Sequence, residues 1–309
     1  MQHCLICNGE LSFFQKWKDR WYQTSDKEYE IYKCNTCKTE QILPMPTKEE
    51  QFSFYPKTYY SYSWNTIANK KNIMQKIMET VLRPINTILD CKYWNKHKVK
   101  KGWFDAFVEW QLSTKKQFSV LDIGCWTNAT KKHFWNSWKR SGFEIADEIK
   151  HIEDISYAPS IWEVSFEKKF DAIIAIHVVE HIDNPKLFFE KVYDLLSEDW
   201  YILIQLPSCE WIFNKILGKY ASERDIPRHL FNYSKEWLIQ LVQQSNFEVV
   251  DCKYLPNYWT WISLFWYIWK LKSNIFYKII GWILIFLDTI VSFLPVKTNQ
   301  LWIILKKHA

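Results

Sequence analysis

The amino-acid sequence predicts an α/β fold with a mainly parallel sheet that helices cover on both faces. From residue 118 onward, short apolar runs alternate with stretches of helical periodicity, which is the pattern of such a sheet. Two Cys-x-x-Cys pairs precede this part, and two uncharged apolar runs interrupt it at 255–294. These two features predict a small zinc ribbon at the start of the chain and an apolar helical hairpin near its end.

The composition is that of a globular protein. Of the 309 residues, 48% are apolar and 24% are charged, which excludes a mainly disordered or fibrous chain. The net charge of +6 is small, and no nucleic-acid-binding motif accompanies it, so we expect no nucleic-acid partner. The chain opens on a Cys pair rather than a secretory signal, and we therefore expect reduced thiols and a cytoplasmic location.

The patterns divide the chain into four predicted regions. We expect a zinc ribbon over 1–45, an aromatic and helical linker over 46–115, an α/β domain over 116–254 plus 297–309, and an apolar helical hairpin inserted at 255–296. Within 255–294, neither uncharged run reaches the roughly 20 residues that span a bilayer. The hairpin therefore either lies in the interface of the cytoplasmic membrane face, as a peripheral contact, or packs on the protein.

The Cys pairs predict a structural zinc site. Two Cys-x-x-Cys turns can direct four thiolates to one tetrahedral Zn²⁺, and four protein ligands leave no open position for catalysis at the metal. The predicted ligands are Cys4, Cys7, Cys34 and Cys37.

The α/β region contains the expected strands and one well-marked helix. Asn184 can cap this helix and Pro185 is at its first position, followed by apolar residues at helical spacing. The apolar runs that predict strands are 119–123, 170–176, 201–206, 247–250 and 300–306.

The first strand runs into a turn that is suited to binding a ligand. Asp122 and Gly124 stand where a strand-turn-helix would present backbone N–H groups and a helix N-terminus. This segment resembles the first motif of class I S-adenosylmethionine-dependent methyltransferases, acidic-x-Gly-x-Gly-x-Gly. The second glycine of that motif is replaced here by Trp126 and the third by Asn128. An indole at the middle position is expected to block the approach of the cofactor.

Further segments carry the same resemblance over nearly the whole chain. Residues 170–185 are similar to the fourth strand and following loop of this family, residues 195–204 to its helix, tight turn and fifth strand, and residues 228–250 to its later helix and sixth strand. The paired knuckles and the aromatic segment after them resemble the zinc-bearing leader of methyltransferases that act on sugars and cell-surface glycans. The resemblance implies a Rossmann-like, doubly wound sheet of seven strands.

The resemblance also implies the site residues. For the cofactor S-adenosylmethionine these are Asp122, Ile123, Gly124, Cys125, Trp126 and His177, with the ribose bound by Asp147 or Glu148, or by Asp154. His181 and His229 are the candidate catalytic bases, and a structural role is the alternative for each. His177 to His181 also matches the H-x-x-E-H pattern of some zinc proteases, but it follows a buried strand rather than lying on a helix.

The predicted function is methyl transfer from S-adenosylmethionine to a sugar, nucleotide-sugar or lipid-linked glycan. The alternatives are a non-catalytic protein whose cofactor site Trp126 blocks, and O-methylation of a lipophilic small molecule. The chain has 6 Gly but 19 Trp, whereas average usage would give about 22 Gly. Because Trp126 and Trp200 both replace a family glycine, we hypothesise that many of these Trp are glycines in the cell, through a reassigned UGA codon.

Overall fold

The structure is a computed structural model that describes residues 2–20, 22–56, 59, 118–125, 138–145, 155–158, 160–211, 214, 221–255 and 297–308. The predicted helical linker and the predicted hairpin at 255–296 lie almost wholly outside the described residues. The described residues contain no helix with the length and apolar character needed to cross a membrane.

The described elements are eleven strands and three α-helices. The strands are β1 (Leu11–Lys18), β2 (Glu28–Cys34), β3 (Glu40–Leu43), β4 (Phe118–Ile123), β5 (Trp138–Glu144), β6 (Ile155–Tyr157), β7 (Phe170–Ile176), β8 (Leu196–Pro207), β9 (Phe231–Asn232), β10 (Phe247–Leu255) and β11 (Gln300–Lys307). The helices are α1 (Lys48–Ser53), α2 (Pro185–Leu195) and α3 (Lys235–Gln244). Short 3₁₀ turns cover Ile161–Glu163, Val179–His181 and Ser222–Arg224.

The larger sheet has the order β10-β11-β8-β7-β4-β5-β6. Strands β4 to β8 pair in parallel, whereas β11 is antiparallel to both of its neighbours. The prediction of a mainly parallel, Rossmann-like sheet is therefore confirmed. The central strand β7 is an uninterrupted apolar run after its first two residues, and it is buried until Ile176, as expected for a strand covered on both faces.

Helix α2 begins as the sequence predicts. The Asn184 side chain accepts a hydrogen bond from the Leu187 N–H, and Pro185 occupies the first turn. Phe188, Phe189 and Val192 form the buried face. The local capping signals and the apolar periodicity therefore agree on the start and the orientation of this helix.

The segment between α2 and β8 differs from the expected tight turn. Pairing of β7 with β8 passes from Phe170–Leu196 directly to Ala172–Tyr201, so the residues between Leu196 and Tyr201 form an irregularity within β8. In this irregularity the positive φ of 63° belongs to Asp199 and not to Trp200. The Trp200 side chain packs against the core. The backbone therefore gives no reason for glycine at position 200.

The smaller sheet joins the N-terminal ribbon to the α/β domain. Its order is β1-β2-β3-β9, with all neighbours antiparallel, and β9 comes from the α/β part of the chain. The Ile42 N–H also donates to the Leu230 carbonyl at 3.2 Å. The ribbon is thus bound by backbone hydrogen bonds to the segment that contains His229.

Candidate active site and metal centre

The four Cys of the two pairs meet in the ribbon. The Sγ atoms of Cys4 and Cys37 are 3.8 Å apart, and those of Cys7 and Cys34 are 3.5 Å apart. Tetrahedral Zn²⁺ with Zn–S bonds of about 2.3 Å separates its sulfur ligands by about 3.8 Å. The Cys cluster therefore has the dimensions of a tetrahedral zinc site. Hydrogen bonding from Cys37 lowers the pKa of Cys4 to about 5, so the cluster already favours a thiolate there.

Matching turns build the two halves of this cluster. The Asn8 N–H donates to the Cys4 carbonyl at 2.9 Å, and the Lys38 N–H donates to the Cys34 carbonyl at 3.1 Å. Asn8 and Lys38 both have left-handed backbone conformations, with φ of 58° and 62°. Gly9 follows the first turn, where an added Cβ would come within 2.6 Å of Thr36 Oγ1. The sequence spacing of the Cys pairs thus reflects a repeated local conformation.

The predicted cofactor turn follows β4. Gly124 has a φ of +69°, and a Cβ on it would lie 2.7 Å from Val178 Cγ2, so this position requires glycine. Asp122, Ile123 and Cys125 are buried. The N–H groups of Gly124 and Cys125 both point to the Phe143 carbonyl of β5, at 2.8 and 3.2 Å. Of the other residues predicted to bind the cofactor, Trp126, Asp147, Glu148 and Asp154 lie outside the described residues.

His177 lies beside this turn because β4 and β7 pair in parallel and end at the same edge of the sheet. It has a left-handed φ of 55°, and its N–H donates to the Gln205 carbonyl at 2.9 Å. Its Nδ1 donates to the Glu180 Oε1 at 3.0 Å. The structure therefore brings His177 and Gly124 to one edge, where open α/β sheets bind their ligands.

His181 and His229 come together at the same edge, with ring centroids 4.7 Å apart. The His181 Nδ1 is 3.0 Å from the Arg228 carbonyl oxygen, and the His229 Nδ1 is 2.7 Å from that of Glu223. A carbonyl oxygen can only accept a hydrogen bond, so both Nδ1 atoms are the protonated ones in the neutral rings. Each Nε2 therefore carries a lone pair that can accept a proton or a ligand.

Glu180 is a site residue to which sequence reasoning gave no role. Its side chain is only 1% exposed, and its Oε1 is 4.0 Å from the His229 Nε2. Its Oε2 has no hydrogen-bond partner in the described part of the chain. Burial raises the pKa of Glu180, but the hydrogen bond from His177 and the charges of the surrounding histidines outweigh it, and the net pKa is lowered. A buried carboxylate therefore lies between three histidines.

The pKa of His181 is lowered to about 4. Burial is the main cause, and the nearby His229 lowers it further. His181 is consequently neutral at pH 7. The hydroxyl of Tyr55 is 2.9 Å from the same Nδ1 that contacts Arg228. Tyr55 precedes His181 by 126 positions, and no local sequence signal links the two residues. The protease-like pattern has no helix to support it, since Val179–His181 is a 3₁₀ turn after β7.

Glu180, His181 and His229 offer three metal-ligand atoms that lie within 4.8 Å of one another. Zn²⁺ with bonds of about 2.0–2.2 Å to nitrogen and oxygen holds such atoms about 3.4 Å apart. The 4.0 Å between Glu180 and His229 is already wider than that. The separation of these two atoms is therefore wider than that of two ligands of one zinc ion.

A comparison with protein families shows the family to which the chain belongs. A family described as "Methyltransferase domain" matches residues 93–251, which is more than half of the chain. The chain belongs to this methyltransferase family. The class that the first motif and the sheet indicate is thus confirmed at the level of the family.

Solved structures with similar folds have low sequence identity to this chain. An S-adenosylmethionine-dependent methyltransferase from Clostridium acetobutylicum is 13% identical, with a TM-score of 0.44, and the match covers 74% of this chain and 99% of that one. The 1,6-didemethyltoxoflavin-N1-methyltransferase of Burkholderia thailandensis is 12% identical, with a TM-score of 0.44 and coverage of 91% and 96%. No curated protein sequence matches the chain.

Proposed function

We propose that the protein transfers the methyl group of S-adenosylmethionine to a sugar, nucleotide-sugar or lipid-linked glycan. One observation carries the methyl-transfer part of this proposal: in a chain of the methyltransferase family, the Gly124 turn and a buried histidine–carboxylate cluster lie at the same carboxyl edge of the sheet. An edge of this kind can bind a cofactor on one side and a polar acceptor on the other.

The cofactor side consists of the turn after β4 and His177. In the proposed site, Asp122 to Cys125 and Trp126 line the cofactor, and Asp147, Glu148 or Asp154 binds its ribose hydroxyls. S-adenosylmethionine supplies, when bound, a methyl group on a positively charged sulfur. On transfer, this methyl group would form a bond to the acceptor atom, and the electron pair of its former bond would stay on the sulfur.

The acceptor side consists of the two histidines with Glu180. The acceptor loses a proton during transfer, and an Nε2 lone pair can take it. His181 is a weak base because burial lowers its pKa to about 4. The His229 Nε2 lies 4.0 Å from the buried Glu180 carboxylate. We therefore propose His229 as the proton acceptor and His181 as a group that binds the acceptor molecule.

The zinc assignment belongs to the same proposal. Cys4, Cys7, Cys34 and Cys37 would hold one structural Zn²⁺, which the Sγ separations of 3.5 and 3.8 Å support. Peripheral membrane contact through 255–294 and a site of action at the cytoplasmic membrane face remain proposals from the sequence alone.

Cofactor binding is the first test, because Trp126 replaces the middle glycine of the family motif. Calorimetric titration with S-adenosylmethionine is done on the protein as written and on Trp126→Gly. Binding by either protein supports the proposal, and tighter binding by Trp126→Gly supports glycine at this position in the cell. If neither protein binds the cofactor, the enzyme hypothesis is wrong and the alternative of a non-catalytic protein is favoured.

The acceptor class is tested next, by mass spectrometry of acceptors incubated with the binding-competent protein. A gain of one methyl group on nucleotide-sugars or lipid-linked glycans supports the proposal. Methylation restricted to lipophilic phenols or quinols would instead support the alternative of O-methylation of a lipophilic small molecule. The intact mass of the protein from its native host separately tests the hypothesis that Trp residues are glycines.

A further inference from the structure

Two buried arginines attach the ribbon to the segment that contains His229 and that hydrogen-bonds the His181 ring. Residues 221–234, here called the clamp segment, contain Arg224 and Arg228 as well as His229. Arg224 binds Glu40 of β3 through two hydrogen bonds of 2.8 and 3.0 Å. Arg228 binds Asp19, which lies just after β1, through two hydrogen bonds of 2.8 and 3.0 Å. Both pairs are almost completely buried.

Each arginine lies next to a carbonyl that holds one histidine. The Arg228 carbonyl accepts the hydrogen bond from the His181 Nδ1, and the carbonyl of Glu223, the neighbour of Arg224, accepts that from the His229 Nδ1. A bidentate arginine–carboxylate pair fixes the orientation of the guanidinium and so restrains the backbone that carries it. Asp19 is therefore coupled to His181 through the Arg228 carbonyl, and also to His229, which follows Arg228 in the chain, whereas Glu40 is coupled to His229 through Arg224.

We propose that the ribbon is a positioning element of the active site, with Asp19 positioning His181 through Arg228 and Glu40 positioning His229 through Arg224. Among the described residues, neither carboxylate hydrogen-bonds to either histidine ring. They act by fixing the two carbonyls that determine which ring nitrogen of each histidine is protonated and where the Nε2 lone pair points. The catalytic part of this inference rests on the proposed function, whereas the positioning of the rings does not.

Each arginine also has partners besides its carboxylate in the ribbon. Arg228 also binds Asp225 at 2.8 and 3.0 Å and the Phe54 carbonyl at 2.9 Å, so it retains partners when Asp19 is neutralised. Asp19 accepts further hydrogen bonds from the Thr24 N–H and hydroxyl at 3.0 and 2.6 Å. Arg224 also donates to the Asn214 carbonyl at 3.3 Å. Substitution of one carboxylate therefore loosens one clamp and leaves the other in place.

The test compares Asp19→Asn with Glu40→Gln in the full-length, zinc-loaded protein. Both variants keep the shape of the side chain and remove its charge, so each is the matched control of the other. Glu198→Gln, which removes an exposed carboxylate paired with Lys307 in the larger sheet, controls for loss of charge alone. Ring ¹⁵N NMR measures the tautomer and the titration of each histidine without any turnover.

We expect Asp19→Asn to change the ring nitrogen signals of His181, and Glu40→Gln to change those of His229 while those of His181 stay as in the unaltered protein. The charged groups that act on His181 are Glu180, Asp225 and His229, and neither variant removes any of these. If both variants lower the melting temperature but leave both rings unchanged, or change both equally, the clamps only dock the ribbon and the inference is wrong.

Kinetics add a second measurement for a protein that transfers methyl groups. A displaced base lowers kcat by about 10- to 100-fold, and Glu40→Gln should do so with little change in the KM for S-adenosylmethionine. Should Asp19→Asn fail to fold, Thr24→Ala loosens Asp19 more mildly and should change the His181 signals in the same direction. Absence of methyl transfer by the unaltered protein would contradict the proposed function alone, since the NMR result stands without it.

Discussion

The Cys cluster of the ribbon and the histidine–carboxylate cluster at the sheet edge are both buried groups of metal-binding residue types, but they are built differently. The Cys cluster comes from two local turns, with sulfur separations of 3.5 and 3.8 Å that match tetrahedral zinc. The second cluster comes from the end of β7 and the distant clamp segment, and its Glu180 Oε1 and His229 Nε2 are 4.0 Å apart. The first cluster depends on two local turns, whereas the second depends on the packing of two segments that are distant in the sequence.

The largest expected effect is loss of the ribbon when the proposed zinc ion is removed. Cys34→Ala, or treatment with a strong chelator, should lower the free energy of unfolding of the ribbon by roughly 5 kcal/mol or more, because structural zinc sites supply about 10–16 kcal/mol of binding free energy. Zinc content and thermal unfolding measure this. Cys252→Ala is the control, since Cys252 is a free thiol outside the cluster. Equal stability of the chelated and untreated proteins would contradict a structural zinc site.

Substitution of His229 tests the second cluster directly. His229→Asn retains a donor in the place of Nδ1 but has no basic nitrogen, so kcat for methyl transfer should fall by about 10²- to 10⁴-fold. Affinity for S-adenosylmethionine, measured by calorimetry, should stay within about twofold, because His229 lies on the acceptor side of the proposed site. His308→Asn changes an exposed histidine and is the control. Unchanged kcat in His229→Asn would exclude it as the proton acceptor.

The two clusters also differ in how far the sequence predicts them. Four Cys at short spacing define a ligand set within 34 residues, because each pair needs only its own turn. Strand and helix patterns likewise place Gly124, His177 and His181 at one edge, since parallel strands end together. Glu180 lies within the same motif, but its position between three histidines depends on His229, which comes 49 positions later in the sequence.

The clamps are beyond sequence reasoning for the same physical reason. Asp19 and Arg228 are 209 positions apart, and Glu40 and Arg224 are 184 apart. Charged residues in a single sequence are normally expected at the surface, and only the packing of the ribbon on the clamp segment buries these four. The backbone conformation near Trp200 could not be predicted from the sequence either. The irregular pairing of β8 with β7 gives the positive φ to Asp199 rather than to Trp200.

The stability that the Asp19–Arg228 pair contributes should depend on pH, because it requires the ionised carboxylate of Asp19. Burial raises the pKa of Asp19, but the hydrogen bonds and the charge of Arg228 lower it further, to about 2. Its ionised form therefore contributes about 2 kcal/mol of stability at pH values above 4, and this contribution is lost as the pH falls toward 2. In Asp19→Asn, acid unfolding should be less steep between pH 4 and pH 2. Glu198→Gln should keep the steepness of the unaltered protein, and an equal slope in Asp19→Asn would contradict the assigned role of the carboxylate.

The smallest expected effect belongs to Tyr55, whose hydroxyl shares the His181 Nδ1 with the Arg228 carbonyl. Tyr55→Phe removes one of two acceptors for the same N–H, so His181 keeps its tautomer through Arg228. The cost should be about 1 kcal/mol or less of stability, with a fall in kcat of only a few-fold. Tyr32→Phe, which removes a hydroxyl bound to Glu30 in the ribbon, is the matched control. A fall in kcat as large as that of His229→Asn would show that Tyr55 contacts the reacting atoms, and the acceptor side of the site would then extend from the sheet edge to the segment that follows α1.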